Sequence, residues 1–201
     1  MKQFLLNIAL ALTMALTAMA GSKVDIYDLS LDQNLDVPAV PDKHAERVTD
    51  FQYQMAVKLA KQGFETELMR DGEVIVVTIQ AATLFEPNDT VLSTVGKNAL
   101  KPLLDLLKPA GFYKLMLVMH ADNTGSPRYA KRLTSARVNA VYDWMDEKGS
   151  VDFVVPYAMG NEDPIDDNGS MEGRRHNRRL EVYIIPEEGM LNKAKKGKIK
   201  K

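Results

Sequence analysis

The sequence predicts an α/β domain, a two-layer βαβαβ-type unit with helices packed on a mixed four-stranded sheet and an N-terminal helix and hairpin extension. Three observations carry this. The β-branched run at residues 73–79 and the apolar run at 113–119 read as buried strands. Long amphipathic stretches fill the intervals between such runs, as a helix layer over a sheet requires. Gly63, Asp71-Gly72, Pro109 and Gly149 fall where one apolar period stops and the next begins.

The elements follow in order. Residues 1–20 read as an export signal: Lys2 supplies the basic start, 4–16 are apolar, and Ala18-Met19-Ala20 gives a small-x-small cleavage pattern before Gly21. The rival is an uncleaved anchor, since 4–20 approaches a spanning length. Residues 21–42 have scattered charge, two prolines and no period, and are expected to be an extended linker. Val48, Phe51, Met55 and Leu59 recur at three- and four-residue steps, so 43–62 is predicted helical, with Gly63 as its stop. Residues 64–70 alternate loosely into Asp71-Gly72, a two-residue hairpin turn, which makes 43–72 the N-terminal helix and hairpin strand.

The main domain is expected over 73–187. After the strand 73–79 comes a loop, 80–89, holding Leu84-Phe85-Glu86-Pro87-Asn88-Asp89. Residues 90–108 are predicted helical, with Val91, Val95, Leu100, Leu103, Leu104 and Leu107 on one face and Pro109 as the break. A strand at 113–120, a long helix at 126–148, and strands at 151–159 and 180–185 complete the domain. Residues 188–201 read as a basic disordered tail.

Charge is unevenly placed. Six lysines crowd into 193–201, Lys2 lies at the other end, and the remainder carries nineteen basic against twenty-seven acidic residues. An exported chain with so acidic a body is a poor fit for nucleic acid. The tail is either a solvated end or an attachment to an anionic membrane surface, each lysine contributing on the order of 1 kcal/mol there. The tail and the helix 43–62 are the candidate contacts for such a surface or for an envelope protein. With no cysteine, the sequence has no disulfide, no thiol nucleophile and no lipid-accepting thiol. One helical segment and a linker before residue 73 leave no room there for an eight-stranded barrel.

Two spacings carry the chemistry. The first is His120-Ala121-Asp122-Asn123-Thr124-Gly125, with Arg137 fifteen residues after the aspartate. It sets a carboxylate on a strand-to-helix loop and a guanidinium about three turns into the helix. Such a pair suits a ligand bearing both an ammonium and a carboxylate, because arginine's planar fork meets a carboxylate bidentately. Taken alone, the spacing also fits an aspartate that only shapes a turn and an arginine that is merely solvated. The second run, Gly173 to Glu181, holds Arg174, Arg175, Asn177, Arg178 and Arg179. These arginines are expected to serve a loop-to-strand junction, with one facing the same groove.

No metal or cofactor is expected. Aligning Gly169 with the glycine of a calcium loop puts Pro164 and Arg175 at ligand positions, which cannot serve. His44, His120 and His176 are far apart, and His120 reads as a half-buried strand-end residue. Ser126 and Ser135 read as helix-start and pattern residues, so no nucleophile stands out and no enzyme is expected.

Asp122, Gly125, Leu133, Arg137, Gly160 to Pro164, Asn168, Gly173-Arg174 and Asn177-Arg178-Arg179 together resemble one known family. They fall in the order and spacing of the OmpA-like C-terminal domain, the peptidoglycan-binding module of outer-membrane proteins, peptidoglycan-associated lipoproteins and flagellar stators. The resemblance covers about 73–185. It implies an OmpA-like fold and a periplasmic domain that binds the diaminopimelate side chain of the peptidoglycan stem peptide without covalent chemistry. Asp122 and Arg137 would hold that zwitterion, with Thr124, Gly125 and Arg178 close by. Ala121 stands where the pattern has threonine and Ala130 where it has asparagine, so a fold-only relative serving as a protein-interaction module is one alternative. A stator-like, membrane-anchored wall binder is another, though 4–20 lacks an ionisable carboxylate.

Overall fold

The computed structural model describes residues 25–199, so the expected export signal lies outside the described residues. The elements are α1 (Leu31–Asp36), α2 (Asp42–Lys61), β1 (Glu65–Met69), β2 (Val74–Gln80), α3 (Ala81–Leu84), α4 (Thr94–Leu100), β3 (Tyr113–His120), α5 (Pro127–Asp146), β4 (Val154–Gly160), α6 (Met171–Asn177), β5 (Arg179–Pro186) and α7 (Glu188–Lys195). The sheet has five strands in the order β1-β2-β5-β3-β4. The sequence predicts four; the fifth is the hairpin strand of the extension, which pairs with β2 from Glu65↔Thr78 to Met69↔Val74. Only β3 and β4 are parallel, and α5 makes the crossover between them.

All eight residues of β3 are buried, because both faces of the sheet are covered there. On one face Val77, Leu117 and Val182 pack under Val48 and Leu59 of α2, Leu100 of α4 and Val138 of α5. On the other, Val74, Met116, Val118 and Ile185 meet Leu31 and Leu35 of α1. That second contact corrects the linker reading of 21–42. From Asp25 the chain is folded, with Ser30 and Gln33 closing a reciprocal cap on α1. Buried Lys114 explains why: its ammonium donates to Asn34 O at 2.6 Å, Asn34 Oδ1 at 2.9 Å and Val37 O. Burial pulls this amine down to about 8, and three oxygens take its three hydrogens.

The hairpin turn is wider than Asp71-Gly72 alone. Four residues, Arg70 to Glu73, join Met69 to Val74, and Arg70, Asp71 and Gly72 all have positive φ. The predicted helix 90–108 is shorter and broken. It starts at Thr94, capped by Ser93, and passes into a 3-10 turn at Lys101–Leu107 with Pro102 near its start. Gly96 sets the geometry: a Cβ there would lie 2.7 Å from Leu84 O, so its absence lets α4 press on α3. In that packing Val91 and Val95 face solvent at 68% exposure, off the apolar face assigned to them.

The C-terminal segment is not a disordered tail. Met190 and Ala194 of α7 are fully buried, Ile199 is nearly so, and Arg47 Nη1 donates to Ala194 O at 3.0 Å. The lysines between these residues face outward, which is why composition alone hides the stripe. Among the described residues no helix is long and apolar enough to cross a membrane.

Candidate functional site

β3 ends at His120, and the next residue ties the loop to β4: Ala121 N donates to Gly160 O at 2.6 Å, while Gly160 N donates to Thr134 Oγ1 at 3.0 Å. Asp122 is thereby fixed at the mouth of the sheet, 4% exposed. One carboxylate oxygen accepts from Thr124 N at 3.0 Å and Thr124 Oγ1 at 2.5 Å; the other is ion-paired with Arg178. Burial by itself would raise the Asp122 pKa, but Thr124 and Arg178 outweigh it and hold the carboxyl below its ordinary value.

Arg137 lies two to three turns into α5 and is 6% exposed, not on a solvated helix face. The loop after α3 folds over it and turns carbonyls inward. Nε donates to Asp89 O at 2.8 Å, Nη2 donates to Glu86 O at 3.2 Å, and the guanidinium sits 5.0 Å over the Phe85 ring. Burial lowers its pKa, opposed by Tyr129 and Asp89. Among the described residues Nη1 has no protein acceptor.

These groups share one cleft of about 520 Å³. Asp122, Thr124, Gly125, Arg137 and Arg178 all line it, as do Ala121 and Ala130. Two of these groups already have partners within the protein. Asp122 pairs with Arg178, fifty-six residues away, and not with Arg137. The Thr124 amide is spent on Asp122 and is not free for a ligand anion. Ser126 caps α5 by accepting from Tyr129 N, the helix-start role expected of it. Gly125 makes room for Tyr129, since a Cβ there would lie 2.6 Å from the ring.

The run from Gly173 to Arg179 mostly builds the wall behind the cleft. A Cβ on Gly173 would lie 2.0 Å from Asp167 O. Fully buried Asn177 clamps the preceding loop, accepting from Ile165 N and Asp166 N and donating to Asp166 O and Asn168 Oδ1. Asn168 Oδ1 also accepts from Asn123 N at 3.4 Å, which joins this loop to that of Asp122. Arg178 keeps its side chain 41% exposed in the cleft, while its carbonyl accepts from Ala81 N at 2.9 Å.

Arg179 is buried and bonds Glu181 Oε1 through Nε at 2.7 Å. Glu181 Oε2 accepts from the Tyr183 hydroxyl at 2.6 Å and lies 3.4 Å from His120 Nε2. Burial would raise the Glu181 pKa, yet His120, Tyr183 and Arg179 bring it down to about 2. His120 is 2% exposed, fully buried where a half-buried ring is expected, because this polar cluster closes over the strand end. The acidic loop's carboxylates are taken up by neighbouring groups: Asp167 Oδ1 accepts from Gly169 N at 2.8 Å, and Asp166 Oδ2 meets His176 Nδ1 of α6 at 2.7 Å. Among the described residues no group of three or more His, Cys, Asp or Glu is placed to hold a metal ion.

Phe85, Glu86 and Tyr129 also line the cleft and are not among the site residues the sequence suggests. The only signal for the first two is their place in the predicted loop 80–89, between a strand and a helix. Nothing periodic marks Tyr129.

This geometry has relatives. The probable lipoprotein YiaD of Escherichia coli is 25% identical over 140 residues, 67% of this chain and 64% of that protein, so the chain spans just under two thirds of its length. The outer-membrane lipoprotein YfiB of Pseudomonas aeruginosa is 31% identical over 136 residues, 67% of this chain and 77% of that protein. Among solved structures, the cell wall anchor of the T6SS from Pseudomonas aeruginosa superposes with a TM-score of 0.56 at 25% identity, covering 70% of this chain and 97% of that one. A model of the OmpA family matches residues 84–178, a span that takes in every residue lining the cleft except Ala81 and Ala82. On the shared fold, the YfiB likeness and that match, the chain belongs to the OmpA family.

Proposed function

We propose that the cleft binds peptidoglycan non-covalently through the diaminopimelate of its stem peptide, and that the chain tethers or senses the cell wall from the periplasm without catalysing a reaction. The observation that carries this reading is Arg137. It is buried in the cleft wall, held by two carbonyls, and keeps Nη1 unspent among the described residues. A guanidinium fixed in this way is oriented before a ligand carboxylate arrives, so little is lost in ordering it. Asp122 supplies the opposite charge for an ammonium, and Arg178, half-exposed, can shift from Asp122 toward the ligand. Two arginines and two carboxylates, Asp122 and Glu86, line the cleft, a balance suited to a zwitterion. Thr124 holds Asp122 in place, and Gly125 leaves room for the Tyr129 ring at the rim. Support from relatives comes from the likeness to a cell wall anchor and from the family match.

A second reading rests on Ala130. It is 2% exposed in the cleft wall and offers a methyl group where the family pattern has an amide. A cleft short of that contact would instead take a periplasmic protein partner. Co-sedimentation with purified sacculi separates the two. The wall-binding reading expects the chain to pellet with sacculi and to be released by free diaminopimelate but not by lysine. A chain that stays in the supernatant supports the protein-interaction module.

A further inference from the structure

A second concave site lies away from the cleft, between α2, the 3-10 turn Lys101–Leu107 and the segment leading into β3. It is a slot of about 220 Å³. Phe51, Met55 and Leu59 of α2 form one wall, and Leu106 and Phe112 face them. Phe51 and Phe112 meet edge to face at 5.9 Å, and Phe112 meets Tyr113 likewise at 5.0 Å, giving the slot rigid aromatic sides.

Two features set it apart from an ordinary surface crease. Tyr113 lines the slot, is 5% exposed, and its hydroxyl has no hydrogen-bond partner among the described residues. A buried phenol normally finds one, and an unpaired donor costs free energy that a ligand oxygen would recover. The rim carries Lys58, Lys108 and Lys193, none of them in an ion pair among the described residues. The Lys193 ammonium stands 4.7 Å over the Phe112 ring, at the mouth of the slot. Asp105 is the one carboxylate in the lining, so the rim is net positive. Lys195, Lys196 and Lys198 extend the same charge along and beyond α7.

We infer that this slot receives an acyl chain of an anionic membrane lipid, with its phosphate on the three lysines and a glycerol-ester or head-group oxygen on the Tyr113 hydroxyl. Apolar walls, an unpaired donor and a cationic rim together fit an amphiphile with an acidic head. A purely apolar or a cationic partner would leave the lysines or the phenol unmatched. The inference is independent of the wall-binding cleft, which lies on other elements. It would let one chain contact wall and bilayer through separate faces.

The test is photo-crosslinking of the full chain on phosphatidylglycerol vesicles whose lipid carries a diazirine in its acyl chain, with phosphatidylcholine vesicles of the same label as baseline. Labelling is expected on peptides containing Phe51, Met55 or Phe112, and on phosphatidylglycerol well above phosphatidylcholine. Neutralising each of Lys58, Lys108 and Lys193 to Gln should weaken that labelling about fivefold. Met55→Trp, which fills the slot, should remove it while the vesicles still float with protein, and Tyr113→Phe should reduce it severalfold. Thermal melts of each variant separate loss of the site from loss of the fold. Labels confined to residues 1–24 or to the lysine-rich end overturn the proposal. So does a Met55→Trp variant that folds and labels like the parent, which would leave only charge attraction at a surface. Equal labelling of Tyr113→Phe overturns the role given to the hydroxyl.

Discussion

Replacing Asn177 by alanine removes the clamp behind the cleft, and its cost follows from four contacts. The amide oxygen accepts from Ile165 N at 2.8 Å and Asp166 N at 3.0 Å; the amide nitrogen donates to Asp166 O at 2.9 Å and Asn168 Oδ1 at 3.0 Å. Each bond contributes about 0.5–1.5 kcal/mol net, and the loop is exposed enough for water to re-solvate part of what is lost. The expected destabilisation is therefore about 2–3 kcal/mol. Asn177→Asp keeps the two accepted bonds but sets a carboxylate oxygen against Asp166 O and Asn168 Oδ1 in a buried position, so it should cost at least as much as alanine. Urea denaturation followed by circular dichroism reads both. The effect should also reach the cleft, since Asn168, released from Asn177, no longer braces Asn123 beside Asp122. Weaker binding of sacculi by a variant still folded at the assay temperature is the expected functional signature. A loss below about 1 kcal/mol in Asn177→Ala would show that the four contacts are not the reason for this residue.

Other outcomes follow from the same structure. Leu103 and Leu117 are fully buried, so Leu103→Ala and Leu117→Ala should each cost roughly 2–5 kcal/mol in urea melts, and an unshifted midpoint would mean the core is wrongly described. Glu181 has a folded pKa of about 2, below its ordinary value. Its contribution is therefore complete above the usual carboxylate range near 4.3 and is lost as pH falls toward 2. It amounts to about 3 kcal/mol, and Glu181→Gln should flatten the acid limb of the stability–pH curve while lowering stability at pH 7. Lys114→Met should release the segment around α1, since Asn34 O, Asn34 Oδ1 and Val37 O lose their common donor. Faster hydrogen exchange and proteolysis confined to residues 25–40 would report it.

The parts of the fold that were legible in the sequence are those with a strong local signal. Residues 113–120 form β3 at the predicted bounds, because a two-sided buried strand is a continuous apolar run. The long helix predicted at 126–148 is present as α5, capped by Ser126. The misreadings share a cause, which is that tertiary contacts decided where local pattern was weak. Leu31 and Leu35 are too few to announce α1, and the groups that dock that segment, the buried Lys114 ammonium, the Tyr157 hydroxyl and the Arg70 guanidinium, lie far along the chain. Met190, Ala194 and Ile199 hide among lysines. Val91 and Val95 fit a helical stripe in sequence, but the helix starts only at Thr94, which leaves Val91 in the preceding loop, and Val95 on α4 faces water. At the cleft, Asp122 and Arg137 stood out by spacing, and the structure brings them to the same walls. The two carbonyls that hold Arg137 lie 48 and 51 residues from it, and Asp122 and Arg178 are 56 apart, separations which no local pattern encodes.

The central claim is that the cleft binds the wall through its charges. Arg137→Ala is a blunt probe, because it also strips Asp89 O and Glu86 O of their donors. Arg137→Lys keeps a cation in place, yet an ammonium cannot reproduce a planar fork held by two carbonyls. The most direct measurement is co-sedimentation of the parent, Arg137→Lys and Asp122→Ala with purified sacculi, each first shown by thermal melt to be folded at the assay temperature. Leaving one ligand charge unpaired in a desolvated contact costs about 2–5 kcal/mol, so both variants should bind at least roughly thirtyfold more weakly than the parent. Folded variants that pellet with sacculi as well as the parent does would contradict the account and move any wall contact away from this cleft.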